Sequence, residues 1–373
     1  MDNLKPMDAV AALYSHDDQK LSAAIMASLS RAIFDGNHVR PAGLAKRLLA
    51  RISHRVLEWT TKSSLGTDAA GTEVIVFNNK LLERSGHPYA RSLLGSSCAE
   101  NAALVEGGDP MNGPYMMLSP EIRKNCGLWD RLFFDSVQSR DVQARIIWET
   151  RATYEAAKRW LGRDEPVRLK AVAAGTGLSM MLVYDKLIRD GFNPELITAR
   201  ITDRDSGNID KANRLLDTLA STRDPKLGFD WKSGITAVTE DIFSGEKSAD
   251  GDIAIERYDI VTAIGILEYF HGCSHTTTHQ RLKLESPDES VSAHDLVARL
   301  SAMTTERASL ILNTYKADAS TRILELFGRR FVYRGREHLR SLLASADFQP
   351  AHLAGSGNIY DVKVFERIPI TNE

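Results

Sequence analysis

Near the middle of the chain an apolar run, Leu169 to Ala174, ends in Gly175-Thr176-Gly177-Leu178-Ser179. Two glycines one residue apart let the main chain turn sharply and approach a ligand without Cβ interference, and a helix starting there aims its N-terminus at that ligand. A second apolar run, Leu196 to Thr202, ends in Asp203-Arg204-Asp205. A carboxylate at a strand end can take a charge-assisted hydrogen bond from a ligand; its plainer use is to cap a turn or helix, a duty for which Asp205 has the better spacing. Thr239-Glu240-Asp241-Ile242-Phe243 closes a third run. A fourth, Tyr258 to Gly265, continues as Ile266-Leu267-Glu268-Tyr269-Phe270. Beyond it comes His271-Gly272-Cys273-Ser274-His275-Thr276-Thr277-Thr278-His279. Three readings of this loop stand side by side. An imidazole titrates near neutrality, so His271 can serve as a general base. His275 and His279, with His271 or Cys273, have a spacing that could hold a metal ion on a helix. The Ser and Thr content suits a polar lid with no direct chemistry.

The elements that must position these residues follow from periodicity. Leu21 to Phe34 and Gly43 to Trp59 place Leu, Ile and Val at helical intervals, a short β-rich stretch spans Thr72 to Phe77, and Gly107 to Pro120 is dense in loop-forming residues. Ser139 to Leu161 is expected as a long helix with Val142, Ile146, Thr153, Ala157 and Trp160 along one face and Gly162 at its stop. From there apolar runs, including Gly234 to Thr239 and Ala308 to Asn313, alternate with amphipathic stretches near Ser179 to Arg189, Ile209 to Ala220 and His294 to Met303. That alternation is the pattern of a parallel sheet flanked by helices. At the end, a helix at Arg336 to Ala346 precedes two β-like segments, Pro350 to Ala354 and Tyr360 to Glu366. They lie too close for a parallel crossover and must pair antiparallel.

From about Arg168 to Glu366, these motifs in this order resemble a class I S-adenosylmethionine-dependent methyltransferase. The resemblance implies an α/β fold, a Rossmann-like sheet ending in an antiparallel hairpin, preceded by a mainly helical N-terminal region. It also implies S-adenosyl-L-methionine as cofactor: Ala173, Ala174, Gly175, Thr176 and Gly177 around its methionine end, Asp203 and Arg204 at the ribose, Asp241 and the N–H of Ile242 at the adenine, and Ile264 and Gly265 between cofactor and acceptor. His271 is the candidate base, and Tyr154, Tyr269 and His275 are expected at the acceptor. The lead-in Phe134 to Arg145 is similar to one in bacterial members of this class, which would let Arg140 and Arg145 address a carboxylate. Two departures matter. The acid that often holds the methionine ammonium, two residues before the first motif glycine, is here Ala173, and the third motif glycine is Ser179. A nicotinamide fingerprint would need glycine where Met180 stands, and no P-loop motif occurs.

Bulk properties set the frame. With 373 residues, 43% hydrophobic and 26% charged, the chain is expected to fold as soluble globular structure, divided into a helical region 1–137 that covers the cleft or forms a dimer, and a cofactor domain 138–373. A net charge of −2 offers no basic field for nucleic acid. With no strand-four Asn-Pro-Pro-Tyr run and no Pro-Cys pair, a small-molecule or lipid acceptor, methylated on O or N, is the expectation; a helix-turn-helix in Val39 to Trp59 is the lesser reading. Cys98, Cys126 and Cys273 are few and far apart, and the chain has neither a signal-like start nor a membrane-length apolar run, so a cytoplasmic enzyme is expected, without a bound metal. Two rivals share the cofactor: transfer of another group such as aminopropyl, and a non-catalytic or regulatory binding protein.

Overall fold

The computed structural model describes residues 1, 3–15, 18–36, 43–67, 73–87, 112–222, 230–243, 256–270, 292–326 and 332–368. Helices α1 (Pro6–Leu13), α2 (Gln19–Phe34) and α3 (Leu44–Thr60) lead into a separate hairpin of strands β1 (Lys62–Thr67) and β2 (Glu73–Asn78). Short helices follow, α4 (Lys80–Ser85), α5 (Asn112–Met116), α6 (Pro120–Arg123) and α7 (Leu128–Phe134), then the long α8 (Val137–Leu161). The alternating part comprises β3 (Val167–Ala171), α9 (Leu178–Arg189), β4 (Ile197–Asp203), α10 (Ser206–Thr222), β5 (Ile235–Thr239), β6 (Tyr258–Ala263), α11 (Ala293–Ala302) and β7 (Thr304–Tyr315). Helices α12 (Ala319–Glu325) and α13 (Arg336–Ala344) and strands β8 (Phe348–Ser356) and β9 (Tyr360–Arg367) complete it.

Seven strands form one sheet in the order β5-β4-β3-β6-β7-β9-β8. The first five are parallel, and β9 inserts antiparallel between β7 and β8. This is the Rossmann-like sheet with a terminal antiparallel hairpin. Every residue of β6 is buried, as expected for a strand covered on both faces.

One hydrophobic cluster runs from Leu13 and Ile25 in the N-terminal helices through Ile146 of α8 to Leu169, Ile201 and Val364 of the sheet. Helix α8 starts where Ser136 Oγ accepts the Ser139 N–H at 3.2 Å and stops at Gly162, whose φ of −67° is ordinary rather than left-handed. In α3, Leu48, Ile52 and Val56 are exposed among the described residues. No helix among the described residues is long and apolar enough to cross a membrane.

Candidate functional site

The turn after β3 concentrates unusual backbone. Ala173, Gly175 and Gly177 have φ of 49°, 57° and 67°, a conformation that costs a residue with a Cβ roughly 1–2 kcal/mol. Gly177 is obligatory for a second reason: a Cβ there would lie 2.4 Å from Cγ2 of Ile201 on the neighbouring strand. Asp203, at the end of β4, grips this turn. Its Oδ2 accepts the Gly175 N–H at 2.7 Å, and its Oδ1 accepts the Asp205 N–H at 2.9 Å. It is 8% exposed, and burial pushes its carboxyl up from the ordinary value while those two N–H groups pull it back. Asp205 takes the capping duty, its Oδ1 accepting the Gly207 N–H at 2.8 Å in the first turn of α10.

Between the turn and the end of β6 lies a crevice of about 50 Å³, walled by Ala173, Ala174, Thr176 and Gly177 on one side and by Thr262 and Ile264 on another. The strand order reverses between β3 and β6, and open α/β sheets bind ligands at such a switch point. Asn112 and Tyr115 of α5 and Arg145, Ile146 and Glu149 of α8 roof it. The roof is fastened: the Tyr14 and Thr176 hydroxyls are 2.7 Å apart, and the Asn112 amide donates to both, at 2.9 and 3.2 Å. Asn112 Oδ1 is buried with no hydrogen bond among the described residues.

Past β6 the site turns polar and stays buried. The Gly265 N–H donates to Asn313 Oδ1 at 2.7 Å, with φ of 79° at Gly265. A Cβ there would meet Arg145 Nη1 at 3.1 Å. Arg145 donates through Nη2 to the Tyr115 hydroxyl at 3.1 Å and lies 4.8 Å over the Tyr360 ring, while its Nε is unpaired among the described residues. Glu268 is buried, and its Oε2 has no hydrogen bond among those residues. Burial raises its carboxyl, with Arg145 opposing.

The residues expected from sequence therefore divide. Ala173, Ala174, Thr176, Gly177 and Ile264 line the crevice, while Gly175 and Asp203 are bonded to each other and are not part of its lining. Arg204 is exposed in the bend after β4. Asp241 is exposed after β5, its Oδ1 accepting the Phe243 N–H at 2.9 Å, and the Ile242 carbonyl accepts Arg299 Nε at 2.8 Å. Tyr154 is not brought to the crevice. Its hydroxyl bonds Asp190 beyond the C-terminus of α9, and its ring packs edge-on against Phe34 at 5.3 Å. About two and a half turns of helix along from Arg145, it faces away from the crevice. Arg140 pairs with Asp135 at 3.6 Å instead of joining Arg145. Tyr269 belongs to a 3₁₀ turn, Leu267–Tyr269, with its side chain outside those described. His271 and His275 lie outside the described residues. Among the described residues, no group of three or more His, Cys, Asp or Glu could hold a metal ion. Sequence reasoning missed Asn112, Tyr115, Glu149 and Glu268. For Glu149 a signal existed, its four-residue spacing from Arg145 on one helix.

No family profile matches the chain, and no curated protein does. Among solved structures, it is similar to the CurJ carbon methyltransferase, at 13% identity over 98% of this chain and 99% of that one, with a TM-score of 0.44. It is similar also to a possible exported protein from Bordetella parapertussis, at 14% over 93% and 97% with a TM-score of 0.48. Magnesium protoporphyrin IX methyltransferase from Synechocystis PCC 6803, with bound SAH, aligns at 16% over 61% and 87% with a TM-score of 0.38.

Proposed function

We propose that this chain, which carries the sheet order and switch-point crevice of the class I methyltransferase fold, is an S-adenosylmethionine-dependent methyltransferase acting on O or N of a small-molecule or lipid acceptor. The observation that carries the reading is the bond between Gly175 N–H and Asp203 Oδ2, which joins a glycine turn to a carboxylate across adjacent strand ends. A turn that a Cβ would block and buried polar atoms left unpaired at Asn112 and Arg145 suit the methionine end of such a cofactor. Asp203 would hold the ribose, with Arg204 beside it, and Asp241 and Ile242 would meet the adenine. Bound there, the sulfonium supplies an activated methyl group.

The chain's own residues then supply placement, the main source of rate in an in-line displacement. Arg145 is held by Tyr115 and Tyr360 at the crevice, where it would address a carboxylate. Tyr269 and His275 would line the acceptor side, and His271, following Phe270, would take the proton from a hydroxyl acceptor. The N-terminal helices would act as a cover, a role supported by the Tyr14–Thr176 contact; a homodimer remains part of the proposal. A buried free thiol at Cys126, with burial raising it to about 11, suits the cytoplasm.

Calorimetry with S-adenosylmethionine tests the reading directly, and absence of heat would reject it. Mass analysis of the spent cofactor then separates methyl transfer, which leaves S-adenosylhomocysteine, from transfer of another group and from binding without turnover.

A further inference from the structure

Among the described residues, Glu149 is the sole carboxylate in the wall of the crevice, a wall it shares with the turn whose usual acid is missing. At Ala173 the backbone has φ of 49° and the side chain is a methyl group, so no side-chain carboxylate at that position can meet a cation. Glu149 is 9% exposed, and it lies one helical turn beyond Arg145 on α8, about 6 Å along the axis. Spacing of i, i+4 puts the two side chains on one face of the helix, and both reach the crevice. The next residue fixes the helix in place: Thr150 Oγ1 donates to Ser179 Oγ at 3.2 Å, tying α8 to the first turn of α9. One face of one helix thus offers an acid and a base in line, opposite the Ala173–Gly177 backbone.

We propose that Glu149 holds the α-ammonium of the bound cofactor's amino-acid end, with Arg145 on the carboxylate side, so that the long helix replaces the acid absent from the glycine turn. An ammonium taken into this crevice without a carboxylate would find only neutral acceptors such as Asn112 Oδ1 and would keep its charge uncompensated, which is unfavourable. Glu149 is where that charge can be met. The inference rests on the cofactor reading above, and it assigns the zwitterion to the region preceding the sheet, not to the sheet's own first turn.

The test is a comparison of two ligands on two proteins by calorimetry: S-adenosylhomocysteine and the same compound lacking its α-amino group, on wild type and Glu149→Gln. A charge-assisted pair at this burial is expected to make wild type prefer the amino-bearing ligand by roughly 10–100-fold. In the variant that preference is expected to fall close to unity, with affinity for the deaminated ligand unchanged. The unchanged second affinity would also certify that the variant folds. Equal weakening of both ligands, or an undiminished preference in Glu149→Gln, would overturn the assignment and leave the cofactor reading standing. No binding of S-adenosylhomocysteine by wild type would overturn both.

Discussion

Replacing Asp203 by asparagine removes one charge and leaves the side chain's shape nearly unchanged. This carboxylate is 8% exposed and accepts the Gly175 and Asp205 N–H groups. Its pKa is raised by burial, which fixes the sign of its contribution. A carboxyl raised above its unfolded value binds more protons folded than unfolded. It therefore lowers stability as pH rises through the window between the unfolded and the raised value. Asp203→Asn should then melt near wild type at pH 7, the lost N–H acceptance offsetting the relief of a buried charge. Binding should respond differently. If the carboxylate accepts a ribose hydroxyl, losing a charge-assisted bond costs about 1.5–3 kcal/mol, or roughly 10–150-fold in Kd. The assay is titration calorimetry with S-adenosylhomocysteine, beside thermal melts of both proteins. Affinity within about threefold of wild type, in a variant that melts normally, would refute the ribose role and reduce Asp203 to a strut for the turn.

Other expectations follow from the same geometry. Gly177→Ala meets both a left-handed φ and Ile201, so thermal unfolding should report a loss of about 2–4 kcal/mol; a loss under 1 kcal/mol would show that the turn rearranges freely. Asp361 is nearly inaccessible; burial pushes its carboxyl up, but hydrogen bonds from Arg336, Lys316 and Ser356 outweigh it and hold it at about 2. Because that value lies below the unfolded one, the stabilisation is present above pH 4 and disappears as pH falls through 2. Asp361→Asn should cost about 2 kcal/mol in denaturant melts at pH 7, with the difference from wild type shrinking toward pH 2. His271→Ala should lower turnover on a hydroxyl acceptor by roughly 10²–10⁴-fold in a radiolabel transfer assay, and undiminished turnover would remove His271 as the base.

The sheet was legible because its strands are short apolar runs separated by amphipathic stretches, a pattern few other arrangements produce. Boundaries moved by a few residues: the first strand ends at Ala171, since Ala173 already has the left-handed backbone of the turn. β7 extends to both sides of its expected core, running from Thr304 to Tyr315. The Lys62–Thr67 strand escaped notice because Lys-Ser-Ser-Leu-Gly-Thr carries no alternation, and its partner Glu73–Asn78 supplies the pairing. The Gly and Pro of Asn112–Met116 point to a loop, yet the segment is helical with all five residues buried, Gly113 fitting against Phe134 and Met7. Packing decided there against local propensity.

Helix α8 shows the same limit from the other direction. Periodicity assigned one apolar face, and of its charges only Arg140 and Arg145 were expected to meet a ligand, but 17 of its 25 residues are buried, Asp141, Arg145 and Glu149 among them. What a helix touches on its second face is set by elements far away in sequence, here α5 and the turn after β3. Of the candidate site, the backbone turn and the side chains of Thr176, Asp203 and Arg145 were therefore readable, and Asn112, Tyr115 and Glu149 were not.

The clasp of Tyr14 and Asn112 on Thr176 ties the amino-terminal end of the chain to the loop that a ligand must reach. For a ligand that must part this clasp to enter, the measured affinity would be a product of two equilibria, unfastening and docking, and would fall below the intrinsic one by the fraction of molecules found open. Association slows by the same logic without a change in the ligand's own contacts. Refastening behind such a ligand would lengthen its stay, giving three uncharged side chains a say in residence time.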